Sequence, residues 1–351
     1  MNKIFKISIL AATMLLSAGA AQASATIINA AGTLALGVNN DGSLNTTVGN
    51  VAVNAGATGI AYKFPDGSFR DATSPGCLCE GWGVSVNGAT SGYANVSSDG
   101  GAHNLTFGAA AATTSSITTI TSLTTLPGIV VTQAYQSATN APDALFRDHV
   151  TIKNTTGATV NNVSYVRVMD WDIPPTEFSE FVTIKGTAST TLLKKSGDNG
   201  FFTANPLVPY TNAGYDPACD NKDCTASGPN DHGAYFLFDV GSLADGEQYD
   251  FDIFYGAAGG KTAAIAAIAD EGLELYTTGQ SSKRNTDGSR SADDNAPTFI
   301  FGFKGVGGTV LECGQAGQPP CVTTVPEPAS IALLGLALAG MGFSRRRNRK
   351  S

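Results

Sequence analysis

The chain is poor in the side chains that carry most chemistry at neutral pH. Its 351 residues include three histidines (His103, His149 and His232) and two tryptophans, and only 14% are charged. No histidine stands at ligand spacing from a cysteine or another histidine, which argues against a zinc site of the C-x₂₋₄-C type. No G-x-S-x-G elbow, H-E-x-x-H pair or phosphate-binding loop occurs, so no short motif announces a hydrolase or a nucleotide enzyme. Basic residues are scarce, 21 against 29 acidic. Two of them lie in the first 23 residues and five after Pro328, which leaves the body 14 basic and 28 acidic residues, a formal charge of −14. Such a body repels phosphate backbones, so no nucleic-acid partner is expected. It fits cations and solubility outside the cell. Long apolar runs are also missing. The two most apolar stretches fall short of the ~20 residues that a spanning helix needs.

Those two stretches sit at the ends. Lys3 and Lys6 give a positive start, Ile7 to Leu16 an apolar run, and Ala21-Gln22-Ala23 a small-x-small cleavage site. Residues 1–23 are therefore expected to be a secretory signal peptide. At the far end, Ala329 to Phe343 is a stretch of fifteen uncharged residues. As a helix it covers roughly 22 Å of a ~30 Å hydrocarbon core. Arg345, Arg346, Arg347, Arg349 and Lys350 follow; their stems can snorkel, and their charge keeps this end cytoplasmic. So short a transmembrane helix suits a transient hold in the inner membrane. Ahead of it, Pro326 and Pro328 impose extended geometry around Glu327, a strap that a processing enzyme can grip.

Val325-Pro326-Glu327-Pro328, the short Leu/Ala/Gly span and the arginine cluster together resemble the PEP-CTERM sorting signal, over residues 325–351. The resemblance implies export by the secretion machinery and handling by exosortase, a membrane protease-transpeptidase. It also implies delivery to the cell surface or to an extracellular polysaccharide matrix such as a biofilm. Within the body, CLCEGWGVSVNG, VTIKNTTGATVNNVSYVRVMDWDIPPT, FDIFYGAAGGKTAAIAAI and PTFIFGFKGVGG resemble stretches of a subgroup of exported PEP-CTERM proteins with no assigned activity. That likeness implies a β-rich body and brings no functional residues.

The body's own pattern is all-β. FRDHVTIKN alternates, with Phe146, Asp148, Val150 and Ile152 on one face, and VNNVSYVRVM beyond the Asn154–Gly157 turn is its expected hairpin partner. AYFLFDV and YDFDIFY form a second expected hairpin, and TFIFGF places Phe299, Phe301 and Phe303 together. Short strands between Gly/Asn/Asp turns predict an antiparallel β-sandwich in one or two lobes. The expected divisions are a β lobe over 24–140, a second over 141–312 and a linker over 313–324, with a boundary near residues 136–144. KTAAIAAIADEGLELY predicts one packed helix over 261–276, weakened at Gly272. The Thr-rich stretch 109–126 fits neither period and is expected to be a strand or a connector. Residues 281–297 have the composition of a mobile loop.

Six cysteines in an exported chain favour disulfides, with pairing expected for Cys219–Cys224 and Cys313–Cys321. Cys77–Cys79 is a harder bridge to close because one residue separates them. The best candidate for chemistry is VRVMDWDIPPTEFSE. Asp170 and Asp172 share a strand face, with Glu177 and Glu180 nearby, and can hold Ca²⁺; the alternative is pairing with Arg167 or Arg147. Trp82 and Trp171, flanked by glycines and acids, are candidate platforms for stacking a sugar, against a plain role in packing. The function expected is a non-enzymatic envelope or matrix protein. The alternatives are a carbohydrate-binding module assisted by calcium, and a glycan-active enzyme, which needs opposed carboxylates about 5 Å apart.

Overall fold

The computed structural model describes residues 24–311. The expected signal peptide, linker, Cys313, Cys321, transmembrane helix and sorting tail lie outside those residues. Two antiparallel sheets face one another. The six-stranded sheet runs in the order Leu193–Gly197, His232–Leu243, Val160–Trp171, Gly81–Val86, Thr90–Asn95, Gly101–His103. The ten-stranded sheet begins Cys224–Asn230, Glu180–Lys185, Leu275–Gln280, Thr298–Lys304, Gln248–Ala258. It continues Leu145–Asn154, Leu126–Ser137, Ser116–Leu123, Leu105–Phe107, with Ala111–Ala112 also on Ser116–Leu123. A third sheet of four strands, Ala25–Ile28 to Phe69–Asp71, adds Leu36, Val38 and Ile60 to the same core.

Phe299, Phe301 and Phe303 share the core face as expected, and Phe301 and Phe303 meet Phe236 of the opposite sheet edge-on at 5.7 and 5.3 Å. Ile300, between them, faces the other way and packs under the helix with Ala264 and Ile268. That helix is Lys261–Glu271, shorter than predicted. Gly272 takes φ +67° and caps it, its N–H turned to the Ala269 and Ile268 carbonyls, and Leu275 already opens a strand. The glycine ends the helix where the sequence reading had it weaken one.

The two expected hairpins are not hairpins. Leu145–Asn154 lies in the ten-stranded sheet and Val160–Trp171 in the six-stranded one; His232–Leu243 and Gln248–Ala258 are divided in the same way. Each connection arches from one sheet to the other. The arches touch: Asn154 Nδ2 donates to the Leu243 carbonyl at 2.8 Å, and its backbone N–H to that of Glu247 at 2.9 Å. Alternation on a strand fixes which face is buried, and both an arch and a hairpin satisfy it. Val163 to Trp171 is buried at every position, as a central strand covered on both faces must be.

No break between lobes falls at 136–144. Gly81–Val86 pairs with Val160–Trp171 across that point, and residues 138–144 join two neighbours of one sheet. The Thr-rich stretch supplies strand Ser116–Leu123, whose buried face is Ile117, Thr119, Thr121 and Leu123. The expected loop 281–297 contains a two-stranded ribbon, Ser282–Arg284 with Arg290–Ala292.

At the centre of the sandwich lies a charge. Arg167 is fully buried, its Nε bonded to Glu80, Nη1 to Gln133 Oε1 at 2.6 Å and Nη2 to the Gly42 carbonyl at 3.0 Å. Its guanidinium also sits 5.4 Å from the Tyr255 ring centre. One side chain thereby ties both large sheets to the N-terminal segment. Arg167→Met leaves Glu80 as an unpaired buried acid and is expected to destabilise the body by about 3–5 kcal/mol. Urea unfolding checks this, and a loss below about 1 kcal/mol contradicts it.

Candidate metal centre

Asp170 and Asp172 fall on the face opposite Trp171, as strand alternation requires. Asp170 stands opposite Gly233 and Trp171 opposite His232, so continued register brings Asp231 beside Asp172. One carboxylate oxygen from each of Asp170, Asp172 and Asp231 lies within 4.8 Å of the others. The place is a corner of the sandwich. Asp231 is the single residue between strand Cys224–Asn230 of one sheet and His232–Leu243 of the other. Asp172 begins the second crossing, from Val160–Trp171 to Glu180–Lys185.

Asp172 is fully buried and Asp170 is 2% exposed, while Asp231 reaches solvent. Neither Asp172 carboxylate oxygen has a hydrogen-bond donor, and nor has Asp170 Oδ1. Asp170 Oδ2 has Cys77 Sγ at 3.5 Å, but a sulphur in the Cys77–Cys79 bridge has no proton to give. Asp71 shows what a satisfied buried carboxylate looks like here. It accepts the N–H groups of Gly59, Thr73 and Ser74 at 2.7–2.8 Å.

Loss of solvent, then the nearby Asp231 charge, pushes the Asp170 carboxyl well above the usual range. Burial, followed by repulsion from Asp170, pushes Asp172 up to about 10. Burial, joined by the charges of Asp170 and Asp231, outweighs the backbone donors of Glu180 and pushes it up to about 9. Those donors are the N–H groups of His232 at 3.1 Å and Ser179 at 3.0 Å. Such a group of carboxyls is either protonated or charged around a cation. Its donors are all oxygen, the set preferred by Ca²⁺, Mg²⁺ and Mn²⁺.

The expected alternative, pairing with Arg167 or Arg147, is not what these two residues do. Arg167 is committed to Glu80 in the core, and Arg147 lies 3.6 Å from Asp252. Glu177 turns away to accept from Asn54 Nδ2 at 3.0 Å. His232 packs alongside with its Nδ1 2.9 Å from Asp198. Asp231 is the member that sequence reasoning missed. It lies far from Asp172 along the chain, and only the strand register brings them together.

Trp82 and Trp171 are corrected as sugar platforms: both are fully buried. Trp82 donates Nε1–H to the Asp41 carbonyl at 2.8 Å and stacks on Tyr165, and Trp171 lies 3.4 Å from Thr277 Oγ1. Cys77–Cys79 and Cys219–Cys224 are both bridged, with Cα separations of 5.3 and 5.0 Å. Near the second bridge is a cleft of about 430 Å³ lined by Lys195, Tyr210, Asn212, Tyr215, Asp220 and Asn221 among others.

Comparison with known proteins bears on the tail. Residues 324–347 match the PEP-CTERM protein-sorting motif. A search of curated proteins finds no match to the chain. The chain thus carries, beyond its β-rich body, the sorting signal of an exported protein handled by an exosortase and directed to the cell envelope or surface.

Proposed function

We propose that this is a non-enzymatic protein of the outer envelope or extracellular polysaccharide matrix, processed at its C-terminal signal, whose body binds calcium at Asp170, Asp172 and Asp231. The observation that carries the calcium assignment is Asp172, fully buried with both carboxylate oxygens lacking a donor and two more carboxylates beside it. The same burial speaks against glycoside hydrolysis, since a sugar cannot reach Asp172.

Calcium binding is expected to release protons at pH 7, because Asp172 and Glu180 hold theirs in the metal-free protein. Their folded pKa values are raised, so between about pH 4 and pH 9–10 the unfolded chain gives up protons that the folded chain keeps. Metal-free stability therefore falls as pH rises through that window, and the gain in Tm on adding calcium grows with pH. Titration calorimetry in two buffers of different ionisation heat, with thermal melts, reads both. Asp172→Asn is expected to weaken binding about tenfold or more. No heat and no shift in Tm at millimolar calcium would sink the assignment.

The sorting role has its own test. Replacing Pro326, Glu327 and Pro328 by alanine, or deleting the residues after Phe343, is expected to leave full-length precursor in the inner-membrane fraction. An immunoblot showing unchanged size and location contradicts it.

The tyrosine-lined cleft favours a second reading, as a glycan-binding module. Partly exposed Tyr210 and Tyr215 beside amide, carboxylate and ammonium groups suit a saccharide. Tyr215→Ala is expected to abolish retention on the host's purified exopolysaccharide; absence of retention by the unaltered protein removes this reading.

A further inference from the structure

The layer around Arg167 contains a constellation that neither sorting nor calcium uses. Thr119 and Gln133 stand directly opposite one another on adjacent antiparallel strands, both on the buried face. Opposed residues hold their Cβ atoms about 4.5–5.5 Å apart. A Cβ on Gly42 would lie 1.9 Å from Gln133 Nε2, 2.8 Å from Gln133 Cδ and 3.1 Å from Thr119 Oγ1. Hydroxyl and amide therefore converge under the backbone of Gly42, where only glycine fits.

Within this pair the hydrogen bonding is lopsided. Thr119 Oγ1 and Gln133 Nε2 are buried with no partner, which protein interiors avoid. Gln133 Oε1 is well supplied. Arg167 Nη1 donates to it at 2.6 Å, and the Tyr135 hydroxyl lies 3.0 Å away. The guanidinium thus fixes the amide, oxygen toward the cation and nitrogen away from it. Asp148 stands opposite Tyr135 on the next strand, fully buried, 4.0 Å from Arg167 Nη1, and neither of its oxygens has a well-formed hydrogen bond.

We propose that Thr119 and Gln133 become joined by an intramolecular ester that the folded protein forms by itself. Thr119 Oγ1 adds to Gln133 Cδ, and the hydroxyl proton passes to the Gln133 nitrogen on the same side. The charge that develops on Oε1 is held by the Arg167 guanidinium, while the Tyr135 hydroxyl beside it also lies 2.6 Å from the Gly42 carbonyl. The Cδ–Nε2 bond then breaks, and the nitrogen, now carrying that proton, leaves as one ammonia. No redox change, cofactor or co-reactant enters the balance. The product resolves both unpaired atoms, since one becomes the ester oxygen and the other departs. The dry core that aids this step also keeps water from the ester.

The test is mass spectrometry of the full chain, expressed with both signals and digested with trypsin. Residues 71–147 form one tryptic peptide containing both partners. It is expected to be lighter by one ammonia, with no fragment ions from backbone cleavage between 119 and 133. Cyclised Asn87-Gly88 would lose the same ammonia, so position and variants decide. Thr119→Val is expected to restore full mass and Thr119→Ser to keep the link. Full-mass wild-type peptide after prolonged incubation at neutral pH overturns the proposal, as does a loss that persists in Thr119→Val.

Discussion

A positive charge in the middle of an apolar sandwich has to be answered from every side, and the answers fix the body's layers against each other. Arg167 comes from the six-stranded sheet, Gln133 from the ten-stranded sheet, Glu80 from the segment leading into Gly81–Val86, and Gly42 from the N-terminal region. Desolvation makes Arg167 and Glu80 expensive unless they meet, so misaligned sheets are penalised more heavily than by lost packing alone. The same guanidinium polarises the Gln133 amide. A group that sets alignment thereby also prepares chemistry in the core.

The acidic corner works by the opposite logic. Around Arg167 the charges are balanced inside the protein; at Asp170, Asp172 and Asp231 three carboxyls are gathered with no lysine or arginine paired to them among the described residues. The corner arises where strands leave one sheet for the other, because crossings bring together residues distant in sequence. The corner joins the two sheets through Asp231 on one crossing and Asp172 on the other. Anything that holds these two residues holds the sheets at that end, as the Asn154 contacts do at the other.

Features that depend on local order could be read from the sequence. Strand alternation placed Asp170 with Asp172 and Phe299 with Phe301 and Phe303, and the tail's short motif needs no fold to be recognised. Features that depend on pairing could not. The arches imitate hairpins because their strands present the same alternation. Asp231 joins the acidic group only through register, and Arg167, read as a possible partner of Asp170 and Asp172, meets Glu80 instead. The two tryptophans, beside glycines and acids, left a sugar platform and plain packing both open. In the structure the glycines let backbones close over them: a Cβ on Gly279 would come within 3.0 Å of the Trp171 ring.

Strand order carries a temporal consequence. Thr298–Lys304, the last described strand, lies between Leu275–Gln280 and Gln248–Ala258, well inside the large sheet. Until it arrives, that sheet exists as two separate pieces with raw edges. Completion must await synthesis of the body as far as residue 304, with the sorting motif of residues 324–347 close behind. Assembly of the sheet and arrival of the sorting signal are thus adjacent events in the life of each molecule.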